Sequence, residues 1–170
     1  MGINVLSLFN GMSIGRISLS KTNIEVDNYF TSEIKETALK VTDYNYPQDV
    51  KNKLGDVCRI NGSDLPKIGL LIGGSPCQDL SIAMKEREGL KGIKSKLFFE
   101  YLRILKEVKP KYFLLENVGS MKKSDRDIIS SLVGEGPIMI DASLISAQKR
   151  KRYYWTNIRG IEQPKDKKTN

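Results

Sequence analysis

The sequence contains no histidine and only two cysteines, Cys58 and Cys77, in 170 residues. Without histidine there is no base for a cysteine–histidine hydrolase and no imidazole for a zinc site, so both chemistries are argued against and no metal is expected. Two cysteines cannot build a disulfide framework. No apolar run approaches the roughly 20 residues of a membrane-spanning helix. Met1-Gly2-Ile3-Asn4 carries neither the basic flank nor the small-residue cleavage site of a secretory leader. The expectation is a soluble cytoplasmic protein with no membrane partner. No internal repeat is visible, and low complexity is confined to the polar end of the chain.

What is present suits one well-buried domain. Hydrophobic residues make up 39% and charged residues 28%, which suggests a single domain over 1–162 and a loose basic tail over 163–170. The net charge of +8 favours a polyanionic partner. Residues 149–170 hold eight basic side chains against Glu162 and Asp166, and a second cluster comprises Lys85, Arg87, Lys91, Lys94 and Lys96. A plain solvated face is the alternative for such runs, above all for Lys149 and Lys151.

Short apolar runs alternate with helical patterns, which predicts an α/β fold with a doubly wound, mostly parallel sheet. Strands are expected over 4–9, 27–31, 56–59, 68–73, 112–115, 138–145 and 153–156, and helices over 14–20, 35–42, 96–108 and 125–133. In the clearest helix Leu97, Tyr101, Ile104, Leu105 and Val108 share one face, and Pro110 marks the end. Aromatic residues over 153–155 fit either a partner surface or core packing.

The chemically loaded residues fall at the carboxyl ends of the expected strands, where open α/β sheets bind ligands. After the first comes a glycine-bearing turn, Phe9-Asn10-Gly11-Met12-Ser13-Ile14-Gly15, which lets backbone approach a ligand closely. Glu33 follows the second, about twenty residues on, where an acid can bond both hydroxyls of a ribose. A solvated helix-start glutamate is the plain reading of Glu33, and a turn carboxylate that of Asp56; together with the glycine turn they suggest an adenosine-containing cofactor. Cys58 reads as a buried small hydrophobe in a strand. Cys77 follows the turn Gly73-Gly74-Ser75-Pro76 and would be a competent nucleophile beside cationic groups such as Arg150 and Arg152. Glu116 ends the fifth strand.

In this order the residues resemble the cytosine-C5 DNA methyltransferase family across nearly the whole chain. Phe9-x-Gly11 with Gly15 is similar to the family's cofactor loop, Glu33 to its ribose acid and Asp56-Val57 to its adenine-contacting segment. Pro76-Cys77-Gln78 matches the nucleophile loop, Glu116-Asn117-Val118 the ENV motif, and Gln148-x-Arg150-x-Arg152 the QxRxR motif. Details such as Leu97-Phe98-Phe99-Glu100 and Met139-Ile140-Asp141-Ala142 look most like the de novo branch known from vertebrates.

The resemblance implies a Rossmann-like fold with an antiparallel C-terminal strand, S-adenosylmethionine as cofactor and duplex DNA as partner, with cytoplasmic, nucleoid-associated work. The cofactor would meet Phe9, Asn10, Gly11, Ser13, Ile14, Gly15, Glu33, Ile34, Asp56, Val57, Gly74, Pro76 and Leu97. Cys77 would add to carbon 6 of a flipped-out cytosine, with Glu116 protonated through burial and held at ring nitrogen 3. Arg150 or Arg152 would meet the ring carbonyl, and Asn117 would orient the Cys77 loop. Residues 78–96, with Gly89 and Gly92 as hinges, would form a closing loop. Family members continue past the QxRxR motif into a target-recognition region, which this chain is expected to lack. A second chain supplying that region, a transfer RNA substrate and a noncatalytic DNA-binding role therefore remain open alternatives.

Overall fold

The computed structural model describes residues 2–76 and 96–167, Lys96 by its backbone alone. Two compact units emerge, Met1–Gly74 with Glu100–Phe113 and Ser75–Phe99 with Leu114–Asn170.

The first unit is built on β1 (Ile3–Leu8), whose Val5, Leu6 and Leu8 are wholly buried, as a strand covered on both faces requires. β1 pairs in parallel with β2 (Val26–Ser32) and with β3 (Leu70–Gly73). Between β1 and β2 runs α1 (Ile14–Ser20), whose Leu19 joins Val5, Tyr29 and Leu70 in one apolar cluster. Gly15 makes this approach feasible. A Cβ there would run into the Ile72 side chain and lie 2.9 Å from the Tyr29 hydroxyl. α2 (Glu36–Asn45) buries Ala38 and Thr42.

The strand expected over 56–59 does not form. Asp56 instead caps a 3-10 helix, Val57–Arg59, by accepting the Cys58 N–H at 3.0 Å, and a second 3-10 helix, Gly62–Asp64, follows. The cause lies 46 positions away in sequence: Arg103 donates to the Val57 carbonyl at 2.9 Å and to the Ile60 carbonyl at 2.8 Å. Glu107 accepts the Gly62 N–H at 2.8 Å. Carbonyls that a sheet ladder would use are thus taken by a guanidinium. In the resulting turn Val57 is buried and Cys58 is exposed, which overturns the reading of Cys58 as a core hydrophobe.

The helix over 96–108 forms as expected, as α3 (Lys96–Val108). Its most buried stripe, however, is Phe98, Tyr101, Leu102 and Ile104, while Leu97, Leu105 and Val108 stay half-buried. β4 (Tyr112–Val118) belongs to both units and joins the first through the Tyr112 N–H, which bonds the Gly69 carbonyl at 2.9 Å.

In the second unit β4 pairs antiparallel with β6 (Lys151–Thr156), which pairs antiparallel with β5 (Ile138–Asp141). β5 stops four residues short of the expected 145, because Asp141 accepts the Ser143 N–H and caps the 3-10 helix Ala142–Leu144. α4 (Lys123–Val133) ends at Gly134 in the left-handed conformation, φ 77°. Trp155 is fully buried and gives its indole N–H to Ser130 Oγ at 2.9 Å, so core packing accounts for it. The strand order is β2-β1-β3-β4-β6-β5, the α/β sheet expected from the sequence, with parallel pairing at β2-β1-β3 and antiparallel pairing at its C-terminal strands.

Candidate functional site

In the first unit the turn after β1 is conformationally unusual. Phe9, Gly11 and Ser13 all have positive φ, at 55°, 55° and 61°. Only glycine takes that region at no steric cost, so this turn holds strain at two side-chain-bearing residues. Glu33, just past β2, fixes it from one side. Its Oε2 accepts the Gly11 N–H at 2.8 Å, while its Oε1 accepts the N–H groups of Ile34 and Lys35, each at 2.9 Å. Ser32 Oγ donates to the Gly55 carbonyl at 2.8 Å, which lays Asp56 and Val57 alongside the end of β2. Gly11, Glu33 and the Asp56–Val57 segment therefore share one edge of this unit.

That edge is open. A Cβ built on Gly11 would meet nothing within 4 Å, and Ile14 and Ile34 keep 60% and 70% of their exposure. A glycine turn facing free space, with a carboxylate already bonded to it, fits the ribose and backbone-contacting parts of an adenosine-type group. The expected contacts divide, however. Asn10 and Ser13 are buried, and Asn10 Nδ2 donates to Ser13 Oγ at 2.6 Å, so these two side chains serve the turn's interior. Gly15 serves helix packing. Gly74 closes this unit, while half-buried Pro76 and Leu97 belong to the other.

The second unit collects the charged set. β4 runs three residues beyond the expected 115, so Glu116, Asn117 and Val118 lie within a strand and face Tyr154, Tyr153 and Arg152 of β6. Because side chains alternate along a strand, Glu116, Val118, Arg152 and Tyr154 share one face of the β4–β6 ladder. On it Arg152 Nε lies 2.7 Å from Glu116 Oε1, and Arg150 Nη2 lies 3.7 Å from the same oxygen. The Glu116 side chain is 32% exposed and ion-paired, in contrast to the burial at a strand end that the sequence leads one to expect. Burial, and secondarily the Glu116 charge, push the Tyr154 hydroxyl pKa up.

Asn117 points to the opposite face and is buried. Its Oδ1 accepts the Val118 N–H at 2.8 Å and its Nδ2 donates to buried Ser75 Oγ at 3.3 Å, two residues ahead of Cys77 in the chain. Gly119 lets β6 come close, since a Cβ there would stand 2.9 Å from the Lys151 backbone. Lys151 approaches Asp141 at 3.9 Å, and Lys149 is exposed. Cys77 and residues 78–95 of the closing loop expected over 78–96 lie outside the described residues.

Sequence reasoning missed Ser75, Thr42, Tyr29 and Arg103. Ser75 had a signal in its nearness to Cys77; the others act through contacts 19 to 46 positions apart, which no local pattern carries. Among the described residues no cluster of acids and thiols would hold a metal, and no helix is long and apolar enough to cross a membrane.

Residues 3–169 match the family described as C-5 cytosine-specific DNA methylase. The chain is 33% identical over 167 residues to the orphan methyltransferase M.Rho11sI of Bacillus phage rho11s, covering 92% of this chain and 33% of that protein. It is 40% identical over 136 residues to the type II methyltransferase M.NgoBV of Neisseria gonorrhoeae, covering 78% of this chain and 31% of that protein. The chain thus spans about a third of the length of these curated relatives. Among solved structures it is similar to a prophage-encoded protein (E. coli) assigned as a DNA modification methyltransferase, with a TM-score of 0.63 at 25% identity, covering 91% of this chain and 46% of that one. These relatives are bacterial and phage proteins, which corrects the expected likeness to the vertebrate de novo branch. Of the details that suggested that branch, Phe98 is explained by helix packing and Asp141 by capping.

Proposed function

The chain belongs to the C-5 cytosine-specific DNA methylase family, and on that premise we propose that it transfers a methyl group from S-adenosylmethionine to carbon 5 of cytosine in duplex DNA, with Cys77 as nucleophile. The observation that carries this reading is the pairing, on adjacent residues of β4, of a glutamate held by two arginines and an asparagine bonded to the segment that leads into Cys77. Nucleophile, acid and orienting group are what addition to a pyrimidine ring needs.

S-adenosylmethionine, bound along the edge made by Gly11, Glu33 and Asp56–Val57, would supply an electrophilic methyl group. The protein's own residues do the rest. A stacked base is out of reach, so the target cytosine must leave the duplex. The Cys77 thiolate adds to carbon 6, and the electron density it donates makes carbon 5 nucleophilic. As an arginine turns from it to the base, Glu116 takes up a proton from solvent and donates it to ring nitrogen 3, which stabilises the charge pushed into the ring. Arg152 or Arg150 meets the ring carbonyl, in exchange for part of its pairing with Glu116. Asn117 holds the chain ahead of Cys77 through Ser75. Once carbon 5 carries the methyl group, its proton passes to solvent, and the electrons of that C–H bond re-form the ring double bond and expel the thiolate.

The net charge of +8 and the exposed basic run Lys149–Lys151 suit DNA phosphates. Work at DNA in the cytoplasm follows from the same reading. Because the curated relatives are about three times as long, a second reading assigns target recognition to further polypeptide, in this chain's parent protein or in a partner chain.

The test is transfer of labelled methyl from S-adenosylmethionine to unmethylated duplex DNA, with transfer RNA and a Cys77→Ser variant as controls. Label in DNA that disappears with Cys77→Ser is expected. Label that persists in the variant, or enters only transfer RNA, overturns the proposal; activity that appears only with added polypeptide supports the second reading.

A further inference from the structure

We propose that Thr42, in the middle of α2, is a positioning residue that holds the Gly11 turn in its cofactor-binding shape. This inference rests on reading that turn as the S-adenosylmethionine site.

Four buried polar side chains lie together in the first unit: Tyr29 and Ser13 at 1% exposure, Thr42 at 4% and Asn10 at 8%. They form one chain of hydrogen bonds whose direction is fixed by counting hydrogens. Thr42 Oγ1 donates its only hydrogen to the Gly11 carbonyl at 3.3 Å. The contact between Ser13 Oγ and Thr42 Oγ1 at 3.2 Å must then have Ser13 as donor. Ser13, its hydrogen spent, can only accept from Asn10 Nδ2 at 2.6 Å, and Asn10 Oδ1 in turn accepts from the Tyr29 hydroxyl at 3.3 Å. The relay runs Tyr29 to Asn10 to Ser13 to Thr42 and ends on Gly11, with every hydroxyl hydrogen in use.

Its end point matters. The Gly11 N–H is already held by Glu33, so Thr42 and Glu33 grip the residue from its carbonyl and its amide. Gly11 sits between Phe9 and Ser13, both at positive φ, a conformation that is strained for side-chain-bearing residues and persists only where the surroundings impose it. Without the Thr42 hydroxyl the turn has a ready route to relax. Binding would then require it to be reshaped, and apparent affinity falls by the fraction of time the competent shape is populated. Thr42 does not need to touch the cofactor to set its affinity.

The isosteric variant Thr42→Val removes the hydroxyl and keeps the volume; Thr42→Ser keeps the hydroxyl. Calorimetric titration of S-adenosylmethionine is expected to show binding weakened about tenfold in Thr42→Val, which corresponds to a competent fraction of about one tenth, and within about twofold of wild type in Thr42→Ser. In the cofactor-free protein, amide hydrogen exchange at Gly11 is expected to speed up in Thr42→Val alone. Should Thr42→Val fail to fold, Tyr29→Phe, which cuts the relay at its head, is expected to shift both readouts in the same direction. Wild-type affinity in the valine variant, or equal losses in valine and serine variants, overturns the inference while leaving the site intact. No binding by wild type overturns the reading of the turn as a cofactor site, and this inference with it.

Discussion

Arg152 reaches Glu116 diagonally across the β4–β6 ladder, 2.7 Å from Nε to Oε1, although the residue facing Arg152 in register is Val118. Arg150 holds the same oxygen from 3.7 Å and is more exposed, at 47% against 20%. If these arginines meet the developing charge on the base, Arg152→Ala should lower kcat by about 10²–10³-fold, the usual cost of a lost charge-stabilising donor. Arg150→Ala should cost less. The pair is partly exposed, so Arg152→Ala should change folding stability by no more than about 1 kcal/mol, measured by urea denaturation.

Asn117 allows a sharper separation. Asn117→Asp keeps an oxygen for the Val118 N–H and loses the donor to Ser75, whereas Asn117→Ala loses both. Alanine should destabilise by about 1–3 kcal/mol through the orphaned buried groups. Aspartate, which puts a carboxyl at a buried position, should destabilise at least as much and also slow methyl transfer; equal rates in Asn117→Asp and wild type would remove Asn117 from the orientation of the Cys77 segment.

Gly119→Ala tests whether the start of β6 must sit where it does. The new Cβ would press on Lys151 backbone at 2.9 Å, next to Arg152, and backbone cannot swing aside as a side-chain tip can. A loss of about 1–3 kcal/mol is expected, with a fall in activity. Gly136→Ala, whose Cβ would meet nothing within 4 Å, serves as control and should leave both unchanged.

How far the sequence disclosed all this follows the range of the contacts involved. α1 and α3 were legible because apolar spacing and a downstream proline act within the helix itself. The 56–59 segment was not, since Val57-Cys58-Arg59 has the composition of a strand and only Arg103, far along the chain, withdraws its carbonyls from a ladder. β4 was cut short for a related reason. The polar pair Glu116-Asn117 looks like a strand end, yet β6 supplies register partners as far as Val118. At the candidate site the motif positions were readable, whereas the relay through Thr42 and the bond from Asn117 to Ser75 arise only once the chain has folded.

Burial pushes the Tyr29 hydroxyl up to about 12. Its ordinary value is about 10, so the unfolded chain releases this proton first. The stability held by neutral Tyr29 is therefore full below about pH 10 and is lost as pH rises from there through about 12, at about 1.4 kcal/mol per unit. Tyr29→Phe should flatten that part of the alkaline limb in urea midpoints measured between pH 9 and 12. Buried Tyr101, also raised, should maintain a residual slope.

The most direct test of the account is covalent capture of the nucleophile. Duplex DNA in which 5-fluorocytosine replaces cytosine cannot lose a carbon 5 proton, so an adduct formed by addition and methylation stays on the enzyme. After incubation with S-adenosylmethionine and digestion, peptide mass spectrometry should find the methylated fluoropyrimidine on Cys77 and never on exposed Cys58. An adduct on Cys58, or labelled methyl entering ordinary DNA with no adduct at Cys77, would contradict the account.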